Sequence, residues 1–369
     1  MNSTTSKELV REVLEELSPL RQKEGNYFDP VYTGLERQRP VAEIAKALHV
    51  SGKKKEAEKS LDWVVGVQNQ NGSWNEVLPG ITAESSVDTS IIGRIVLMAY
   101  NKTGKKSYLN AALRAGQNVL KKEIGYGKFI KSFHHYGDVL NVSANCAAFF
   151  YALFLQTKDK GFLDARDRAV FNCCKWQFKD GSYPYMGSER AYPYENHFHV
   201  PDPHYHAITL YYLLLSDPRL ENPYLKISAE KAVKWLESVL HPNGWDWSKG
   251  KLVFSLGFTA GYAYAAYCFD FFGKEEQKNI CLNKLPEFRM KYGFGFWEEA
   301  RINETIKGIA SELFNLDWKT QLNYPFPVRL WRAKQIIKGQ LFLRKKKEFS
   351  LYFTPQILDC LTENEWRHS

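Results

Sequence analysis

Apolar residues recur at helical spacing along most of this chain, in pairs of segments separated by short polar turns. The pairs cover approximately residues 41–68, 88–122, 143–177, 204–240 and 258–290, and their inner turns read HVSGKKKEA, NKTGKKSYL, TKDKGFL, SDPRLENPYL and FFGKEEQKN. The first member of each pair is apolar nearly all round, as in SANCAAFFYALFL and TAGYAYAAYCFDFF. Such a helix needs neighbours on every side, so the first members are expected to form an inner layer and the second members an outer one. Five hairpins, a helix near Ser6 to Leu17 and a partner for it from the C-terminal region would nearly or fully close a ring. The expected fold is an all-α, (α/α) toroid of about five to six helical hairpins with a C-terminal extension. Its boundaries are residues 1–40 for an N-terminal helix and lead-in, 41–295 for the toroid and 296–369 for an extension packed on it. From Phe296 the helical pattern weakens, and residues 322–353 combine prolines with an alternating run.

Three second members end alike, in KSLDWVVGVQNQNGSW (residues 59–74), RAVFNCCKWQFKDGSY (168–183) and KAVKWLESVLHPNGWDW (231–247). A helix bearing Trp63, Trp176 or Trp235 is expected to stop at Gly72, Gly181 or Gly244, where glycine adopts the left-handed conformation. The following aromatic, Trp74, Tyr183 or Trp245, folds back on the hairpin. Gln68 and Gln177, four residues before the glycine, are placed to bond carbonyls left free at the helix end, whereas the third copy has Leu240 there.

Basic residue, small residue, aromatic helix, Gln and Gly-x-Trp resemble the QW repeat of squalene-hopene and oxidosqualene cyclases, within the terpenoid cyclase and protein prenyltransferase-like toroids. The hairpin ring is also similar to six-hairpin glycosidases, polysaccharide lyases and sugar epimerases. Together these resemblances cover most of residues 41–290 and imply an α/α toroid. The cyclases protonate an alkene with an acid in a D-x-D-D motif, which this chain lacks, as it lacks the D-D-x-x-D motif of other terpene synthases. Asp88, in ESSVDTS, is the nearest isolated acid.

Composition narrows the partners. The 369 residues, 44% hydrophobic and 15% aromatic, suffice for a large core, and the net charge of +9 favours anionic partners. Nucleic acid is not expected, since no nucleic-acid motif occurs. No apolar run is long enough for a transmembrane segment, although peripheral membrane contact by the basic C-terminal region is compatible with the sequence. The polar start and six cysteines without C-x-x-C spacing point to a cytoplasmic protein with reduced thiols.

The densest chemistry lies in SERAYPYENHFHVPDPHYH (residues 188–206), followed by KSFHHYGDVLNVSAN (131–145). Both clusters fall in long loops between hairpins and would face one mouth. Tyr192, Tyr194 and His197 are expected catalytic residues, moving protons at a sugar C5, with Arg190 and Asn196 neutralising a uronate carboxylate. His134, His135, Trp74 and Trp247 are expected substrate contacts. Hydrolysis would instead use two carboxylates from Glu84, Asp88, Asp138, Glu195, Asp202 or Asp246. No cofactor and no metal are expected: His204 and His206 enter a helix, where their spacing turns them apart. The expected function is a lyase, epimerase or hydrolase acting on an anionic oligo- or polysaccharide. The alternatives are a terpenoid cyclase-like or prenyl-binding protein with an aromatic cavity, and a non-catalytic glycan-binding or scaffold toroid.

Overall fold

The computed structural model describes residues 3–32, 34–78, 81–132, 137–187, 199–246, 259–296, 330, 348–349 and 351–368. The hairpins read from the sequence are α2 (Gln38–Val50) with α3 (Lys54–Gly66), α4 (Ser86–Thr103) with α5 (Lys106–Leu120), and α6 (Leu140–Thr157) with α7 (Lys160–Lys175). Two more follow, α8 (Pro203–Ser216) with α9 (Pro223–Ser238), and α10 (Ala260–Phe271) with α11 (Glu275–Lys284). The chain's first helix, α1 (Ser3–Leu17), packs on its last, α12 (Phe353–His368).

Among the described residues, α2, α4, α6, α8, α10 and α12 each contact the next, and α12 returns to α2, closing an inner ring of six helices. The helices between them form the outer layer. This order follows from composition: along α4, α6, α8 and α10 most residues are buried, whereas the outer helices bury one stripe. No described helix is long and apolar enough to cross a membrane.

The shared endings differ from expectation in one respect. Helices α3, α7 and α9 finish at Gly66, Lys175 and Ser238, several residues before Gly72, Gly181 and Gly244. The glycine therefore sits in a turn beyond the helix, and its reason is close approach. At Gly72 (φ +88°) a Cβ would lie 2.5 Å from the Arg114 carbonyl oxygen on the next outer helix, and at Gly127 (φ +75°) 1.9 Å from that of Arg168. Gly25 and Gly181 meet Lys59 and Lys231 in the same way, so the basic-small pair of the repeat is the seat for the preceding turn. The glutamines serve this contact. Gln68 Nε2 donates to Gly72 O and Ala111 O (both 2.9 Å), and Gln177 Nε2 to Gly181 O and Ser228 O (both 2.8 Å), tying each turn to the next outer helix and not to its own helix end.

A second set of bonds fixes each turn to the next inner helix. Backbone N–H groups of Trp74, Phe129, Tyr183 and Phe294 donate to Thr89 Oγ1 (2.9 Å), Ser143 Oγ (3.4 Å), His206 Nδ1 (2.9 Å) and Thr354 Oγ1 (2.9 Å). Replacing Gly127 by Ala should therefore cost on the order of 3 kcal/mol, since both the left-handed backbone and the Arg168 contact are lost. Urea denaturation of Gly127→Ala measures it, with Gly104→Ala, whose Cβ meets nothing, as the reference for backbone strain alone.

Candidate active site

Every loop from an outer helix to the next inner helix arrives at the inner helices' N-terminal ends, so these loops rim one mouth of the toroid. Short hairpins line it: β1 (Asn75–Leu78) with β2 (Ile81–Glu84), β3 (Glu123–Gly125) with β4 (Lys128–Phe129), and β5 (Leu240–His241) with β6 (Gly244–Trp245). Also there, β8 (Gly293–Phe296) lies between β7 (Arg289–Met290) and β9 (Glu348–Phe349). Most residues expected to act lie in two of the rim loops. Arg190, Tyr192, Tyr194, Glu195, Asn196 and His197, with His134, His135 and Trp247, fall outside the described residues. Among the described residues that flank 188–198, Gly187 N–H donates to Asp138 O (2.8 Å) and Tyr185 N–H to Val200 O (3.0 Å).

Trp74 corrects an expectation. Its side chain is wholly buried and its indole N–H donates to Val64 O (2.8 Å), which leaves no face for a sugar ring. Several candidate acids are structural as well. Asp202 caps α8 by accepting from the N–H groups of His204 (3.0 Å) and Tyr205 (3.1 Å), and Asp138 accepts from Asn172 Nδ2 (3.0 Å). Glu84 is bonded to Lys122 (2.9 Å) and Asn71 (2.5 Å). His204 and His206 point apart, as helical spacing requires. His206 accepts from Tyr183 N–H through Nδ1 and donates through Nε2 to Ala232 O (3.0 Å), a wholly structural bridge. His204 is buried against Gly261 and Tyr264, and burial, then the Arg39 charge, push its pKa down to about 3.

Asp88 is the acid that the fold sets at the mouth's floor. Residing in the first turn of α4, it is 3% exposed, and Arg39 Nη1 stands 4.0 Å from its Oδ1. Burial, followed by the charge of Glu76, raises its pKa to about 7, against the lowering fields of Arg39, Lys131 and Arg37. A carboxyl of that kind holds its proton near neutral pH and can deliver it. Glu76, on β1, forms an ion pair with Lys131 (2.8 Å) and lies close enough to Asp88 for its charge to act there. Within α2, Arg39 Nε donates to Glu43 Oε1 (2.8 Å); burial drives the Glu43 pKa up to about 8 despite this arginine.

Aromatic rings wall the space above these charges. Tyr185 and Tyr205 lie 4.5 Å apart between centroids, and Tyr352 is covered by the guanidinium groups of Arg39 (5.4 Å) and Arg37 (5.8 Å). All three tyrosines are half-buried. Tyr352 lies within the field of Glu76, Asp88 and Lys131, and Tyr205 within that of Glu76, so the tyrosines and the acids are neighbours. Of these residues only Asp88 was a sequence candidate. Arg39, Glu43, Glu76, Lys131, Tyr185, Tyr205 and Tyr352 were missed, and the one available signal was a charged stripe at Arg39, Glu43 and Lys46 on an otherwise apolar helix.

No protein-family model matches the chain, and no curated protein matches it. Solved structures do match, over nearly their whole length. A sugar epimerase from a ruminal bacterium superposes with a TM-score of 0.65 at 10% identity, covering 96% of this chain and 98% of the epimerase. An unsaturated glucuronyl hydrolase from Bacillus sp. GL1, responsible for the degradation of glycosaminoglycan, gives 0.65 at 9% identity, with 97% of each chain covered. An α-1,6-mannanase from Salegentibacter sp., solved with α-1,6-mannotriose, gives 0.61 at 9% identity and covers 99% of this chain and 100% of its own. At such identities the likeness is one of fold, the six-hairpin toroid of glycosidases, lyases and epimerases.

Proposed function

We propose that this chain is a carbohydrate-active enzyme cleaving an anionic oligosaccharide at the mouth of the toroid. The observation that carries it is the buried, proton-holding Asp88 beside the Glu76–Lys131 pair, under the tyrosine walls of Tyr185, Tyr205 and Tyr352. Asp88 would protonate the leaving glycosidic oxygen while Glu76 serves as the second carboxylate. Lys131, Arg37 and Arg39 supply the positive field that selects a uronate, and the tyrosines stack on sugar rings. The shared toroid of a sugar epimerase, an unsaturated glucuronyl hydrolase and a mannanase supports a carbohydrate as the substrate class.

The rim loops complete the proposal. Tyr192, Tyr194 and His197 are proton-transfer candidates, and Arg190, Asn196, His134, His135 and Trp247 would clamp the substrate over Asp88. We place the activity in the cytoplasm, where six unpaired cysteines, five of them buried, would stay reduced.

Incubation with a panel of uronate-containing oligosaccharides, followed by mass spectrometry, tests the reading. Hydrolysis yields products that have gained water, elimination yields an ultraviolet-absorbing unsaturated uronate, and epimerisation leaves the mass unchanged. Turnover of neutral glycans with none on uronates would refute the substrate class. No product from either class would refute the enzyme.

A further inference from the structure

One guanidinium serves two buried acids at the floor of the mouth. Arg39, on α2, donates through Nε to Glu43 Oε1 (2.8 Å), while its Nη1 stands 4.0 Å from Asp88 Oδ1 on α4. Both acids are buried, and neither Glu43 Oε2 nor Asp88 Oδ1 has a hydrogen-bond partner among the described residues. An arginine that serves a single carboxylate commonly offers it two parallel N–H groups. Here the fork is divided between two carboxyls.

The neighbouring charges are committed elsewhere. Arg37 is held by Asp29 (3.1 Å), Lys131 by Glu76 (2.8 Å), and Lys46, further along α2, by Asp359 (2.7 Å) and Glu363. The charges that reach Asp88 are those of Glu76 from β1, Arg39 and Arg37 at the start of α2, and Lys131 from the loop after β4; Asp88 in turn acts on Glu43 and on Tyr352. Arg39 also reaches His204 and Tyr212 on α8 and Tyr264 on α10. Burial pushes that histidine down to about 3 and both phenols well up, so all three are neutral around pH 7. Glu43 and Asp88 do titrate there, raised chiefly by burial to about 8 and about 7. One positive charge in a buried site neutralises one carboxylate, so the other keeps a proton.

We propose that Glu43 and Arg39 are positioning residues for Asp88: Glu43 draws the guanidinium aside while Asp88 carries its proton, and Arg39 closes on the Asp88 carboxylate once that proton has left. This role rests on the reading of Asp88 as the general acid. In the step itself the Asp88 O–H bond breaks, its electron pair stays on Asp88, and the proton joins the glycosidic oxygen, which keeps the pair of the departing C–O bond. A shift of about 1 Å then brings Arg39 Nη1 within hydrogen-bonding distance of Asp88 Oδ1, with Nε still on Glu43.

Carbon-13 NMR of the Asp88 side-chain carboxyl, assigned by its absence from Asp88→Asn, follows the proton without any substrate. Glu43→Gln keeps the size and an oxygen for Arg39 Nε but removes the competing acid, so the Asp88 midpoint should fall by about one pH unit. Arg39→Met should raise it by about as much, and Arg39→Lys, which restores the charge, should return it most of the way. In steady-state kinetics the alkaline limb of kcat/KM should move down with the midpoint in Glu43→Gln, a loss of about fivefold at pH 7 that fades at lower pH. A merely structural defect would lower the profile equally at every pH. An Asp88 midpoint that stays put or rises in Glu43→Gln would overturn the proposal, and this variant decides even where Arg39→Met does not fold. A midpoint that falls while the kinetic limb stays in place would uphold the coupling and refute Asp88 as the general acid.

Discussion

Lys46→Met should lower the stability of the toroid by about 3–5 kcal/mol, the cost expected when one partner of a buried ion cluster is removed. Lys46 is fully buried on α2 and donates to Asp359 Oδ1 (2.7 Å), to the Asp359 carbonyl (2.8 Å) and to Glu363. From the other side Arg94 holds Glu363 in a fork (2.7 and 3.1 Å) and stands 3.9 Å from Asp359. Two cations and two carboxylates thus share the ring's interior, with Arg367 capping Glu363 from the edge (3.0 Å). Methionine fills the lysine's stem space but leaves Asp359 without its nearest counter-charge. Asp359→Asn in the same chain restores the balance, because Arg94 then faces Glu363 alone, and the double variant should recover more than half of the loss. Chemical denaturation of the two variants measures both effects. A double variant as unstable as the single one would show that shape and not charge holds Lys46 in place.

The fold was legible in the sequence where burial is apolar. SANCAAFFYALFL and TAGYAYAAYCFDFF have no polar face to offer solvent, and each became an inner helix, α6 and α10. Helix α12 obeys a different rule: the side chains it turns inward include Gln356, Asp359 and Glu363, so hydrophobic periodicity underrates it. The same physics hid the site. Arg39, Glu43 and Lys46 follow helical spacing at i, i+4 and i+7, but a charged stripe in isolation reads as a solvated face; only ring closure by α12 puts it inside. Tyr185, Tyr205 and Tyr352 come from three distant segments, and no local spacing links them to Asp88. The histidines misled for the opposite reason, since His206 looks chemical in sequence but spends both ring nitrogens on backbone groups.

Asp88→Asn should lower kcat for the uronate substrate by about 10²–10⁴-fold, the usual share of a general acid, with a smaller change in KM. The side chain keeps its size but has no proton to deliver to a leaving oxygen. In the wild type the acid must be protonated, so kcat/KM should fall as pH rises through about 7, by about tenfold per pH unit well above it. The wild type's stability should fall over the same pH range. A carboxyl whose folded pKa lies above its ordinary value stabilises the fold below that ordinary value, and the contribution disappears as pH climbs through about 7. The charged form is then buried at a cost that an amide does not carry, so Asp88→Asn should be at least as stable as the wild type at pH 8 while nearly inactive. Steady-state kinetics across pH and denaturant midpoints of the two proteins measure the pair of effects. An inactive variant that is also less stable at pH 8 would make Asp88 a structural partner of Arg39, and retained activity would move the acid to the rim loops carrying Tyr192, Tyr194 and His197.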